Sequence, residues 1–166
     1  LVRPVPNMPQ NLAPCLQLLS MTAIPDAHSR VAVVTGASSG IGEATARTLA
    51  ALGFHVVAVA RRADRIERLA AEIGGTAVAA DVTDDDAVDS LVGRLGRVDV
   101  LINNAGGARG LQTVAEADLD DWRWMWETNV IGTLRVTRAL LPKLIASGDG
   151  LIVTVTSTAA LEVYDG

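Results

Sequence analysis

Cysteine is almost missing: Cys15 stands alone in 166 residues, so no internal disulfide can form and a reducing cytoplasm is the expected setting. Basic residues are neither in excess nor clustered. Lys and Arg number 14 against 19 Asp and Glu, a net charge of −5, and without a Lys/Arg block this excludes a nucleic-acid partner. Long apolar runs are missing too. The chain is 49% hydrophobic with mean hydropathy +0.32, yet no stretch reaches the roughly 18 residues that a membrane helix needs, and a soluble protein with no membrane partner is expected. The two histidines, His28 and His55, lie outside any Cys/His/carboxylate cluster, so no metal site is expected.

Proline is scarce wherever the pattern is regular. Five of the 6 prolines (Pro4, Pro6, Pro9, Pro14 and Pro25) fall before residue 30, which rules out a long helix there and marks residues 1–29 as a flexible N-terminal extension. Leu12 to Ile24 is moderately apolar, but only Arg3 precedes it and no small-residue cleavage site follows, which argues against a signal peptide. The chain opens on Leu1, with Met21-Thr22-Ala23 just before the first strand. Met21 is therefore expected to be the natural start, and a native peptide spanning residues 15–25 would refute this.

What is present is organised around Thr35-Gly36-Ala37-Ser38-Ser39-Gly40-Ile41-Gly42. Val31 to Val34 before it carries no charge and reads as a parallel strand buried on both faces. Glu43 to Leu52 behind it, rich in Ala and Leu, reads as a helix. In such an element Gly36 permits a tight turn, Gly40 lets the backbone approach a pyrophosphate, and Gly42 lets the helix pack closely on the sheet. Free N–H groups at the helix start then face the anion. The spacing G-x-x-x-G-x-G differs from the usual G-x-G-x-x-G and, standing alone, also suits a turn without a ligand.

The remaining chain alternates. Strands are expected at His55–Ala60, Thr76–Ala80, Val98–Ile102 and Leu151–Thr156. Helices are expected from Arg61 to about Ile73, from Ala87 to Leu95 behind a capping box of Thr83 and Asp86, and from Leu119 to Ser147. Asp118, Asp120 and Asp121 suit the start of the last helix, and Gly132 and Pro142 are expected to bend it. This order predicts an α/β fold: a doubly wound parallel sheet of the Rossmann type over residues 30–166, incomplete after the fifth strand. Trp122, Trp124 and Trp126 stand out beside one Phe and one Tyr. On a helix Trp122, Trp126 and Asn129 share a face while Trp124 points away, and core packing or a subunit interface are equal readings, with substrate contact third.

Thr35-Gly-Ala-Ser-Ser-Gly-Ile-Gly42, Asp81-Val82, Asn103-Asn-Ala-Gly106, Thr-Asn129-Val and Ile152-Val-Thr-Val-Thr-Ser157 together resemble the classical short-chain dehydrogenase/reductase family, in its order and spacing. Arg61-Arg62 and Thr137-Arg-Ala-Leu-Leu-Pro142 further resemble bacterial NADP-dependent 3-hydroxy acid (serine-type) dehydrogenases. The resemblance implies that Asp81 hydrogen-bonds the adenine amino group while Val82 supports the ring. It implies that Asn103 sits at the crest of the fourth strand against the adenosine, and that Thr35 ties the glycine turn to Asn-Asn-Ala-Gly. The implied cofactor-binding set is Thr35, Gly36, Ser38, Ser39, Gly40, Ile41, Gly42, Arg61, Arg62, Asp81, Val82, Asn103, Ala105 and Gly106.

Ala60 stands where NAD-dependent relatives carry an acid, and Arg61 and Arg62 follow, so NADP(H) is expected over NAD. The alternative is a pair of solvated charges at a helix start. The resemblance also implies catalytic roles for Ser157, on the substrate oxygen, and for Asn129, which would hold a helix bend and anchor a proton-relay water. The family's tyrosine, with lysine four residues on, falls about a dozen residues past the serine. Tyr164 lacks that lysine and is read as a substrate-loop or packing residue. The expected protein is thus an NADP(H)-dependent oxidoreductase acting on a small carbonyl or alcohol. It is expected to be C-terminally truncated here and a homodimer or homotetramer when complete. The competing reading is a non-catalytic dinucleotide-binding module or redox sensor.

Overall fold

The computed structural model describes residues 30–110 and 112–161. The expectations for the tail 1–29, for Met21 and for Tyr164 lie outside the described residues. Five strands, β1 (Val31–Thr35), β2 (His55–Ala60), β3 (Thr76–Ala79), β4 (Val100–Asn103) and β5 (Leu151–Thr154), form one parallel sheet in the order β3-β2-β1-β4-β5. Helices α1 (Gly40–Ala51), α2 (Ala63–Ile73), α3 (Asp85–Gly93), α4 (Leu119–Trp126) and α5 (Thr133–Ala146) connect and cover them. The expected doubly wound topology is the one observed.

The two-residue period of the strands sorts their side chains between two cores. Val33, Val57, Val59 and Leu101 point to one face, where they meet Val88 and Leu91 of α3 and Val136, Leu140 and Leu144 of α5. Ala32, Val34, Val56, Ala58, Val100 and Ile102 point to the other, against Ala46 and Leu49 of α1 and Ile66 and Leu69 of α2. Most of these residues are fully buried, and each buried Val or Leu contributes about 1.5–3 kcal/mol relative to exposure. The fully buried side chains of both layers are aliphatic, with Phe54 packed half-buried against the second. That is why so few aromatics suffice.

Three expectations need correction. The capping box of Thr83 and Asp86 does not form. Asp84 caps α3, its carboxylate accepting from Ala87 N at 3.1 Å, because the Thr83 hydroxyl is already donated to Asp81 Oδ1 at 2.8 Å. The long helix is not continuous either. Asp118 caps α4 as anticipated, but residues Glu127–Gly132 form a π-helical segment before α5 resumes. A Cβ on Gly132 would come within 2.8 Å of Val82 Cγ2, so glycine lets this stretch lie against the end of β3. The break ends at Gly132, one of the two positions expected to bend the helix, while Pro142 lies inside α5. Finally, Trp122 and Trp126 are 57% and 61% exposed, so neither packs in the core. The carboxyl ends of β1, β2, β3 and β4 and the π segment all converge on one side of the sheet.

Candidate dinucleotide-binding site

A cleft of 480 Å³ opens there, lined by Gly36, Ser38, Ser39, Ile41, Ala60, Arg61, Arg62, Asp81, Val82, Asn104, Ala105, Gly106, Trp124 and Thr128. Its floor is fixed by Thr35, which is 1% exposed. The Thr35 hydroxyl donates to Ile102 O at 3.2 Å and accepts from Asn104 N and Ala105 N, each at 3.0 Å. One side chain thus ties the glycine turn to the segment after β4, as the sequence implied.

Asn104, which sequence reasoning passed over, supplies the second tie: its Nδ2 donates to Thr35 O at 3.0 Å. Gly36 has φ +67°, and a Cβ there would fall 2.7 Å from Asn104 Nδ2. A Cβ on Gly42 would collide with the same nitrogen and with Gly36 O. Gly42 therefore makes room for the turn itself and not, as expected, for the sheet. Gly40 has φ +58° with open space where a Cβ would stand. Ser39 precedes α1 in an extended conformation, and no side chain caps the helix. Its first-turn N–H groups are thus available to an anion.

The paired arginines divide their work. Arg62 donates from Nε and Nη2 to Ser38 Oγ at 3.1 and 2.7 Å, and from Nη2 to Ser39 Oγ at 2.7 Å. A guanidinium has five N–H donors, so among the described residues both on Nη1 are unused, and each serine, accepting from Arg62, keeps its own proton to donate. Arg61 turns instead to Asp81, 3.7 Å away. Burial alone pushes the Asp81 carboxyl up, but hydrogen bonds from the Thr83 amide and hydroxyl and the Arg61 charge outweigh it and hold it below its ordinary value. An ionised, acceptor-only carboxylate therefore faces the cleft beside Val82.

Asn103 does not belong to the cleft. It ends β4 as expected, but its side chain is 4% exposed and its Nδ2 donates to Thr137 Oγ1 of α5 at 2.9 Å. The pleat sends it to the covered face while Asn104, one residue on, faces the opening. Asn129 lies in the π segment, where its Oδ1 accepts from Gly107 N at 2.9 Å and its Nδ2 donates to Gly107 O at 2.8 Å. Its side chain clasps the loop after β4. Ser157 follows β5, exposed, its Oγ accepting from Ala159 N at 3.1 Å. It does not line the cleft.

Trp124 lines the cleft, with the Arg109 guanidinium 4.0 Å from its ring centroid. A Cβ on Gly107 would touch its ring at 3.2 Å. The helical wheel had already set Trp124 apart from its two neighbours. Among the described residues no helix is long and apolar enough to cross a membrane.

A family model for short chain dehydrogenases matches residues 30–166. The chain belongs to the short-chain dehydrogenase family. An uncharacterized oxidoreductase of Mycobacterium tuberculosis (strain ATCC 25618 / H37Rv) is 79% identical over 139 residues, which cover 84% of this chain and 55% of that protein. A serine 3-dehydrogenase of Agrobacterium fabrum is 41% identical over 140 residues, covering 81% and 56%. Among solved short-chain dehydrogenase structures, the closed form of a serine dehydrogenase complexed with NADP+ superposes with a TM-score of 0.78 at 34% identity, covering 82% of this chain and 57% of that one. The chain spans about half the length of the curated relatives it matches.

Proposed function

We propose that this chain is the cofactor-binding part of an NADP(H)-dependent oxidoreductase that interconverts a carbonyl and a secondary alcohol. One observation carries the reading: Arg62 bridges Ser38 and Ser39 beside the uncapped start of α1. Two Nη1 donors and two serine protons are thereby gathered where a ribose 2′-phosphate would lie, with no acid at Ala60 to repel it. The relative solved with NADP+ supports the same choice. Of the expected set, Gly36, Ser38, Ser39, Ile41, Arg62, Asp81, Val82, Ala105 and Gly106 line the cleft and would touch the nucleotide, Thr35, Gly40 and Gly42 shape the turn, Arg61 assists through Asp81, and Asn104 replaces Asn103.

Bound NADPH would supply a hydride to the carbonyl carbon, and the proton that completes the alcohol would come from the tyrosine that the resemblance places about a dozen residues past Ser157. Ser157 would donate its proton as a hydrogen bond to the substrate oxygen, where negative charge develops. Accepting from Ala159 N does not consume that proton. Asn129 acts as a positioning residue on Gly107, and its second amide N–H is free to hold a relay water. The substrate class that the relatives support is a small polar hydroxy acid.

The complete enzyme would be a homo-oligomer. Leu119, Trp122, Trp126, Val130, Leu134, Leu141 and Ile145 are all exposed and recur at three-, four- and seven-residue steps along the helix from α4 to α5, a continuous apolar stripe that a second copy would cover. A reducing cytoplasm suits a chain with one cysteine.

The test is loss of NADPH absorbance when the complete protein meets small 2- and 3-oxo acids. Turnover with NADPH well above that with NADH is expected. Tight NADPH binding without turnover on any carbonyl would favour the non-catalytic module, and failure to bind NADPH would refute both.

A further inference from the structure

Among the described residues, one buried side-chain polar atom has no hydrogen-bond partner: Thr128 Oγ1. A helical threonine ordinarily settles its hydroxyl on a carbonyl one turn back. Thr48 does so, donating to Ala44 O at 2.9 Å. Thr128 is 8% exposed and is the second residue of the π segment, yet it makes no such bond. Segments of this kind recur at functional sites.

The position points to a ligand. Thr128 lines the cleft together with Asp81 and Val82, and it also lines an adjoining recess of 720 Å³ rimmed by Trp122, Trp124 and Trp126. Gly132, four residues on, packs against Val82 and holds the segment at that end of the cleft. Asp81, which accepts from Thr83 and pairs with Arg61, makes no hydrogen bond with Thr128. A threonine in a helix has two accessible χ1 wells. One step about χ1 moves the hydroxyl around the side chain while the backbone stays in place.

We propose that Thr128 is a nucleotide-binding residue whose hydroxyl is satisfied by the adenosine half of the dinucleotide, at the Asp81 end of the cleft. This rests on the NADP(H) reading above and adds to it a contact from the π segment, which lies outside the glycine turn and the arginine pair. A hydroxyl both donates and accepts, so it matches either a base nitrogen or a ribose oxygen. The nicotinamide half is not involved.

Thr128→Val keeps the shape and removes the hydroxyl; Thr128→Ser keeps the hydroxyl and removes the methyl. Three probes are titrated into the complete protein: NADPH, adenosine 2′,5′-bisphosphate and reduced nicotinamide mononucleotide. The valine variant is expected to weaken NADPH and the bisphosphate by one common factor of about threefold to tenfold, the range of a single neutral hydrogen bond. Its affinity for the mononucleotide should not change, and its ligand-free thermal midpoint should equal or exceed that of the wild type. The serine variant should stay within about twofold of wild type on all three probes, since the bond survives.

Unchanged NADPH affinity in the valine variant would overturn the proposal. So would equal weakening of all three probes, or a serine variant as weak as the valine one. A wild-type protein that bound neither NADPH nor the bisphosphate would overturn the cofactor reading first, and this contact with it.

Discussion

Replacing Arg62 by alanine tests the feature on which the proposed cofactor choice rests. Arg62 holds both serine hydroxyls through Nε and Nη2 and keeps Nη1 for a phosphate. A hydrogen bond to a charged group contributes about 1.5–3 kcal/mol, so losing this one should raise the Kd of NADPH by about tenfold to 140-fold at 1.4 kcal/mol per decade. Freeing the serine side chains pushes the effect toward the upper end. NADH has no 2′-phosphate, and its Kd should move by less than about twofold, because none of the lost donors reaches it. Arg61 is the internal control. It lies 3.7 Å from Asp81 with its side chain 65% exposed, and an exposed pair of this kind is worth about 0–1 kcal/mol, so Arg61→Ala should cost less than about fivefold. Trp124 on the cleft wall provides the assay, energy transfer from tryptophan to the reduced nicotinamide, titrated with each nucleotide. Equal affinity for NADPH and NADH in the wild type, or a larger loss from Arg61→Ala than from Arg62→Ala, would refute the division of labour between the two arginines.

Thr35→Val strands Ile102 O, Asn104 N and Ala105 N in a region 1% exposed at Thr35, and urea unfolding should show a loss of about 2–4 kcal/mol; a loss below about 0.5 kcal/mol would contradict the role given to that hydroxyl. Asp99 is fully buried at the start of the sheet. Burial pushes its carboxyl up, but Arg97 and the Val31 N–H, at 2.8 Å, outweigh this and hold it below the ordinary 3.8. A depressed carboxyl adds stability that is complete above the unfolded value and vanishes as pH falls through the folded one. The gap between wild type and Asp99→Asn, about 1–3 kcal/mol at neutral pH, should therefore narrow below pH 3.8; a gap that widens on acidification would be the contrary result. Leu134 is 59% exposed in the middle of the apolar stripe, and Leu134→Glu should shift the complete protein to a smaller species in sedimentation, whereas an unchanged mass would remove the stripe from the interface.

The sheet was legible because its signal is local. Aliphatic runs such as His55–Ala60 between turn residues admit one reading, and β2 occupies those bounds. The glycine turn and Asp81 were legible because a resemblance in several ordered motifs fixed them. What escaped depended on which way neighbouring side chains turn. Asn103 and Asn104 are equivalent as letters, and only the pleat sends one to Thr137 and the other to the turn. Arg61 and Arg62 looked interchangeable until α2 began at Ala63 and set their directions apart. The interruption at Glu127–Gly132 was signalled only by Gly132 and by the bend that the resemblance implied at Asn129, because its cause, the approach to Val82, is remote in sequence.

That interruption acts as a gear between two halves of one rod. A π turn carries a surplus residue, and each residue of an α-helix turns its axis by about 100°. Deleting one residue between Glu127 and Gly132 would close the surplus and leave helical content nearly intact. It would also wheel Leu119–Trp126 about a quarter turn, swinging Trp124 off the nucleotide wall. Circular dichroism should then look native while the energy transfer to NADPH weakens: a protein that is folded yet half-blind to its ligand at one end.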